Sequence, residues 1–153
     1  MQLSYFADYS LRVLIYAGAH RDRWCTSEEI SASFGVSRHH IVKVVNALQH
    51  QGYLETVRGR GGGFRLAVAA ESVNIGDVVR RNEPSLAVVE CFDRATNTCP
   101  LTAACGLKGV LREASNAFFA VLDRCTLADL LARPQWSSRV LMVGVRGRRA
   151  MGS

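Results

Sequence analysis

A glycine set between two apolar runs, each with a start signal, constrains this chain more than any other feature. Thr26-Ser-Glu-Glu29 places a hydroxyl three residues before a carboxylate, the reciprocal arrangement that starts a helix. Ile30 and Phe34 follow at a helical interval, and Gly35 tolerates the left-handed backbone that ends a helix in a tight turn. Ser37 stands in a second cap position, and Ile41, Val44, Val45 and Leu48 then repeat at three and four residues until Gly52. The pattern predicts helices over 27–34 and about 38–51 joined by a short turn. That is the spacing of a helix-turn-helix, whose second helix enters the major groove by its first turn. The residues there are Ser37, Arg38, His39 and His40, with Lys43 one turn on, and all can donate to phosphates or base edges. An unrelated helical hairpin with a solvated polar end has the same pattern.

The next segment separates the two readings. Tyr53-Leu-Glu-Thr-Val57 and Phe64-Arg-Leu66 alternate like short strands, and between them lies R-G-R-G-G-G. Arg58 and Arg60 on so glycine-rich a tip suit a narrow groove or a phosphate wall. No helix and no Lys-Ser/Thr follows these glycines, which excludes a phosphate-binding P-loop. A hairpin directly after a helix-turn-helix is a winged helix. The predicted class is therefore mainly α with a small β wing, ending in a long helix for dimerisation.

Other segments frame this unit. Leu3, Phe6, Ala7, Ser10, Leu11, Leu14 and Ile15 predict a helix over 3–19, with Asp8 and Arg12 four apart on its flank. Their plain reading is a surface ion pair, and Arg12 is also a candidate DNA contact. Asn74 can cap a short helix from Ile75 to Arg81. From Ala104 to Arg124 runs the longest periodic segment, through Leu107, Val110, Leu111, Ala114, Phe118, Val121 and Leu122. A helix of about 30 Å is long for so small a protein, so its stripe is expected to meet a partner subunit. Thr126 and Asp129 start a last short helix near Pro134. The expected divisions are 1–82 for DNA binding, 83–104 for a cysteine loop, 105–134 for dimerisation, and 135–153 as a basic, partly disordered tail.

Charge agrees. Residues 1–67 hold eight Lys/Arg against five Asp/Glu, residues 68–138 seven against eight, and the tail four arginines with no acid. A basic amino-terminal half fits nucleic-acid contact. No apolar run reaches the roughly 20 residues that span a bilayer. Asp8 and Arg12 also interrupt any signal-peptide pattern, so a cytoplasmic protein with no membrane partner is expected.

The five cysteines then point to metal or redox chemistry rather than structural disulfides. Three of them, Cys91, Cys99 and Cys105, fall within one segment, with seven and five residues between them. Pro100 prevents a helix there, and Asp93, Asn97, Thr98 and Thr102 favour turns. Three thiols on a short loop can converge, and soft thiolates suit zinc, copper(I) or an iron–sulfur cluster. Cys25 and Cys125 have no such neighbours and read as small buried hydrophobes. His20, His39, His40 and His50 lack paired metal spacing. No C-x-x-C and no Ser/His/Asp or Cys/His arrangement is present, so the chain does not read as an enzyme.

These residues carry a resemblance. The opening M-Q-L-S-Y-F-A-D-Y-S-L-R-V-L-I-Y, then G-V-S-R-H-H-I-V-K-V-V-N-A-L, G-Y-L-E-T-V-R-G-R-G-G-G-F-R-L, I-G-D-V-V-R, the three-cysteine loop and C-T-L-A-D-L resemble the Rrf2 family of bacterial winged-helix regulators. The likeness covers about residues 1–134 and is nearest the nitric-oxide-sensing NsrR branch. It implies a homodimeric repressor on palindromic double-stranded operator DNA, released when nitric oxide nitrosylates an iron–sulfur cluster. Cys91, Cys99 and Cys105 match the cluster ligands, and the fourth ligand falls on Asp8 from the partner subunit. A 4Fe–4S cluster is favoured over a 2Fe–2S one. The first cysteine gap is seven where five is common, so Ala95–Asn97 is expected to bulge outward. The segment E-C-F-D…C-P-L…C-G-L with N-A-F-F-A-V-L also resembles RirA, an iron-responsive member, and gives an iron- or redox-responsive alternative. Gly106-Leu107-Lys108 stands where IscR-type members carry a ligating histidine. A structural zinc site in a DNA-binding protein is the alternative of a different kind.

Overall fold

The computed structural model describes residues 2–59 and 61–133. The order is α1 (Tyr5–Ala19), α2 (Ser27–Phe34), α3 (Arg38–His50), β1 (Leu54–Val57), β2 (Gly63–Leu66), α4 (Ile75–Asn82), α5 (Gly106–Asp123) and α6 (Leu127–Leu131). Arg60 and the segment 134–153, including the expected basic tail, lie outside the described residues.

Local chemistry sets the helix ends. Thr26 and Glu29 form the reciprocal cap, with the Glu29 amide donating to the Thr26 hydroxyl and the Thr26 amide to the Glu29 carboxylate. Gly35 closes α2 at φ 65°, the left-handed region a side chain resists. Thr126 and Asp129 repeat the device on α6, where the cap bonds hold the Asp129 carboxyl below the usual carboxylate range. Two expectations need correction. α1 starts at Tyr5, not residue 3, because the Ser4 hydroxyl accepts from the Ala7 amide and fixes the cap there. Ser37 occupies the cap position of α3, but its hydroxyl makes no capping bond.

α1 is the hub. It packs against α3, α4, α6 and β2. Its fully buried side is Ala7, Ser10, Val13, Leu14, Tyr16, Ala17 and Gly18. Leu3, Phe6, Leu11 and Ile15, expected on the core stripe, are only half-buried. The difference is physical: elements reach α1 from several sides, so its burial is broader than one stripe and shifted toward Val13 and Tyr16. Polar groups on that side are satisfied locally, with the Ser10 hydroxyl donating to the Phe6 carbonyl at 2.8 Å. α3 buries Ile41, Val44, Val45 and Leu48, as its periodicity predicts.

β1 and β2 pair antiparallel, with Leu54 opposite Leu66 and Val57 opposite Gly63. Cys25 forms an isolated antiparallel bridge to β2, exchanging two backbone hydrogen bonds of 2.8 Å with Phe64. The base of the wing is thereby sewn to the segment before α2. Gly63 permits the contact, since a β-carbon there would lie 2.3 Å from the Cys25 carbonyl oxygen.

α5 differs from every other long helix. None of its 18 residues is buried, and Leu107, Val110 and Val121 are 63%, 63% and 58% exposed. Leu86, Val88 and Leu101 on the preceding loop are exposed too. No described helix is long and apolar enough to cross a membrane.

Gly63→Ala is expected to cost about 1–3 kcal/mol by forcing the wing from Cys25. Denaturant unfolding measures this, and an unchanged midpoint would contradict the close approach.

Candidate nucleic-acid interface and cysteine loop

Burying Ile41, Val44, Val45 and Leu48 turns the opposite face of α3 outward. That face carries His39, Lys43, Asn46, Gln49 and His50, all exposed. A concave notch of about 240 Å³ separates α3 from the wing, with Asn46, Gln49, Thr56 and Arg58 on its walls. Asn and Gln amides can pair with adenine edges, and an arginine on the wing suits phosphate. Asn46, Gln49 and Thr56 were not among the residues singled out in the sequence. For two of them the signal was available: Asn46 lies three residues beyond Lys43 and Gln49 three beyond Asn46, on the same helical face, whereas Thr56 is on β1 and no helical period reaches it.

The other expected DNA contacts have varied surroundings. Arg38 is exposed and paired with Glu28. His40 turns toward α1, with its ring 6.4 Å from that of Tyr9 at an interplanar angle of 27°. Arg12 is held on α1, bonding Asp8 at 2.7 and 3.1 Å and lying over the rings of Tyr9 (5.7 Å) and Phe34 (5.8 Å). Asp8, Arg12, Tyr9 and His40 therefore form a contiguous path from α1 to the first turn of α3. Arg58 sits on the open wing, where Gly59 and Gly61 take φ 102° and 75°.

The cysteine loop has no apolar core of its own. Side-chain turns shape it instead. Asp93 accepts from the Ala95 amide at 2.9 Å, Asn97 accepts from the Cys99 amide at 3.1 Å, and the Thr102 hydroxyl donates to the Cys99 carbonyl at 2.8 Å. Thr98 reaches Glu90 at 3.3 Å, and Arg112 of α5 lies over Phe92. Cys91 lies in a single 3₁₀ turn, Glu90–Phe92, and Cys105 occupies the N-cap of α5. Between Cys91 and Cys105 only Cys91, Phe92, Asn97, Cys99, Thr102 and Cys105 are half-buried, and the rest are exposed. All three cysteines of the loop are free and half-buried. Ala95 and Thr96 are exposed, while Asn97 turns inward.

The donor set suits a soft metal centre in kind: three free, half-buried thiols on one loop. Among the described residues no three His, Cys, Asp or Glu side chains are drawn together closely enough to hold a metal ion. Asp8 lies on α1 in its pair with Arg12. Cys25 is chemically distinct, because complete burial pushes its thiol up to about 11. It packs as the small hydrophobe expected, whereas Cys125 is only half-buried.

With this geometry, residues 3–133 match the Rrf2 family of iron-dependent transcriptional regulators. The chain belongs to the Rrf2 family. This Rrf2 regulator is 47% identical over 132 residues to the HTH-type transcriptional regulator NsrR of Bacillus subtilis, covering 86% of the chain and 90% of that protein. It is 48% identical to the NsrR regulator of Geobacillus kaustophilus over the same shares. Among solved structures, T. potens IscR superposes with a TM-score of 0.68 at 23% identity, over 86% of each chain. The oxidized form of Staphylococcus aureus CymR superposes at 0.68 and 26% identity, over 86% of this chain and 97% of that one. The mainly helical fold with a small β wing is shared with these structures.

Lys43→Ala is expected to weaken DNA binding for all sequences and to reduce the slope of log K against log salt by about 0.9. Asn46→Ala is expected to leave the slope unchanged and to relax base preference by about 1–3 kcal/mol at one position. Anisotropy titrations on duplexes selected by the wild-type protein measure both. Equal effects from the two variants would contradict this division of roles.

Proposed function

We propose that this Rrf2 regulator is a cytoplasmic homodimeric repressor that reads palindromic operator DNA and reports on nitric oxide through an iron–sulfur cluster. Cys91, Cys99 and Cys105 would hold the cluster, with Asp8 of the partner subunit as fourth ligand. A 4Fe–4S cluster accords with three thiolates and one carboxylate. The observation that carries the proposal is that Cys91, Cys99 and Cys105, all free and half-buried, share one loop held by side-chain turns. Identity of 44–48% to regulators named NsrR supports the choice of signal. The exposed stripe of α5 supports the homodimer, since an apolar helix face of this length needs a partner. The working division is 1–82 for reading, 83–104 for the cluster and 105–134 for dimerisation, and no enzymatic role is proposed.

When bound, the cluster would supply iron able to react with a small molecule such as nitric oxide, and a carboxylate from Asp8 would be a harder and weaker ligand for it than the three thiolates. The chain's part is mechanical. To serve the partner subunit, Asp8 leaves Arg12, and Arg12 becomes available to DNA phosphate. α1 bears Tyr9 against His40, so a shift of α1 reaches the first turn of α3. Wild-type affinity for DNA is then set by which partner Asp8 holds, a two-state element biased from one site and read at another.

The test is an anaerobic visible-absorption titration with nitric oxide, with operator binding measured on the same samples. Bleaching accompanied by loss of binding is expected. Asp8→Ala is expected to lower cluster retention after gel filtration and to weaken the nitric-oxide response, while normal retention with a normal response would remove Asp8 from the site. The family's description as iron-dependent favours one second reading, in which binding follows iron supply and ignores nitric oxide. A colourless protein that resists cluster reconstitution would instead mark the loop as a structural zinc site.

A further inference from the structure

α5 buries no side chain, so its direction relative to the winged head depends on what grips its end. The grip is local and well defined. Arg80 of α4 bonds Asp123 with both terminal guanidinium nitrogens, at 2.6 and 2.7 Å. Its guanidinium also lies 4.5 Å from the centre of the Phe119 ring. The Asn74 amide donates to the Asp123 carbonyl at 2.7 Å. Beyond the helix, Ile75 N–H donates to the Cys125 carbonyl and Leu127 N–H to the Val73 carbonyl, each at 2.9 Å. Gly76 leaves the room this arrangement needs, since a β-carbon there would lie 2.0 Å from the Asp123 carboxylate and 3.0 Å from Arg80. The I-G-D-V-V-R segment, residues 75–80, thus supplies both the arginine and the glycine of one clasp.

A solvent-accessible ion pair adds little to stability, but a two-pronged arginine–carboxylate bond stacked on an aromatic ring fixes orientation strongly. The lever is long. At 1.5 Å per residue α5 spans about 27 Å, so a tilt of about 10° at the clasp moves its far end about 5 Å. That exceeds one base-pair step of about 3.4 Å.

We infer that Arg80 is a positioning residue for operator reading: its clasp on Asp123 and Phe119 sets the angle between head and dimerisation helix, and with it the half-site spacing the dimer accepts. The inference rests on the homodimeric reading proposed above. It assigns Arg80 no contact with DNA and none with the cluster.

The experiment uses the full chain and palindromic duplexes selected from a random pool by the wild-type protein, then re-synthesised with the half-sites one or two base pairs closer or farther apart. Wild type is expected to prefer the selected spacing by about tenfold, the scale of a mismatched base pair. Arg80→Ala, Asp123→Asn and Gly76→Ala are expected to reduce that preference to about twofold or less, with unchanged affinity for a single half-site and a thermal midpoint close to wild type. Arg80→Lys keeps the charge but not the fork, and should behave like Arg80→Ala. Folded variants that discriminate spacing as wild type does would overturn the role of Arg80 while leaving the dimeric reading intact. A wild-type protein that binds as a monomer, or without spacing preference, would remove the dimeric reading and this inference together.

Discussion

Burial of α1 from several sides is the interaction on which the rest of this structure depends. α3, α4, α6 and β2 all rest on it, so the recognition helix, the base of the wing and the attachment of α5 are referred to one rod. Contacts between these elements fix its position without using all of its surface. Asp8, Tyr9 and Arg12 remain on the half-buried side, where side chains can exchange partners without opening the core. A central helix with a committed face and an uncommitted one is a sound basis for a switch, because packed interiors move as units rather than deform.

Sequence reading succeeded where a structure is dictated within a few residues. Thr26 with Glu29, and Thr126 with Asp129, are complete signals in four positions, and both form as expected. The buried face of α3 follows from spacing alone, and the Asp8–Arg12 pair follows from a separation of four. It was weaker where burial comes from several directions. Spacing placed Phe6, Leu11 and Ile15 on the core stripe of α1, whereas Val13, Tyr16 and Ala17 are the fully buried residues, a choice made by the neighbours. Ser37 shows the opposite limit, a residue of the right type in the right place whose hydroxyl makes no capping bond.

The candidate site divides in the same way. That Cys91, Cys99 and Cys105 belong to one loop was legible, and so was the turn-forming character of the residues between them. That Asn97 and Thr102 tie the loop around Cys99 was not, since it depends on side chains folding back across a non-repeating segment. The pairing of Arg80 with Asp123 is more remote still. Forty-three residues separate them, and no local period links a residue of α4 to one at the end of α5.

The burial of Cys25 sorts the chain's sulfur chemistry by location. With its thiol pushed up to about 11, only about one molecule in ten thousand carries the reactive thiolate there at neutral pH. Cys25 also lies at the seam between wing and core, where an added oxygen atom would break the packing that supports the DNA-reading surface. Burial therefore shields this seam from electrophiles.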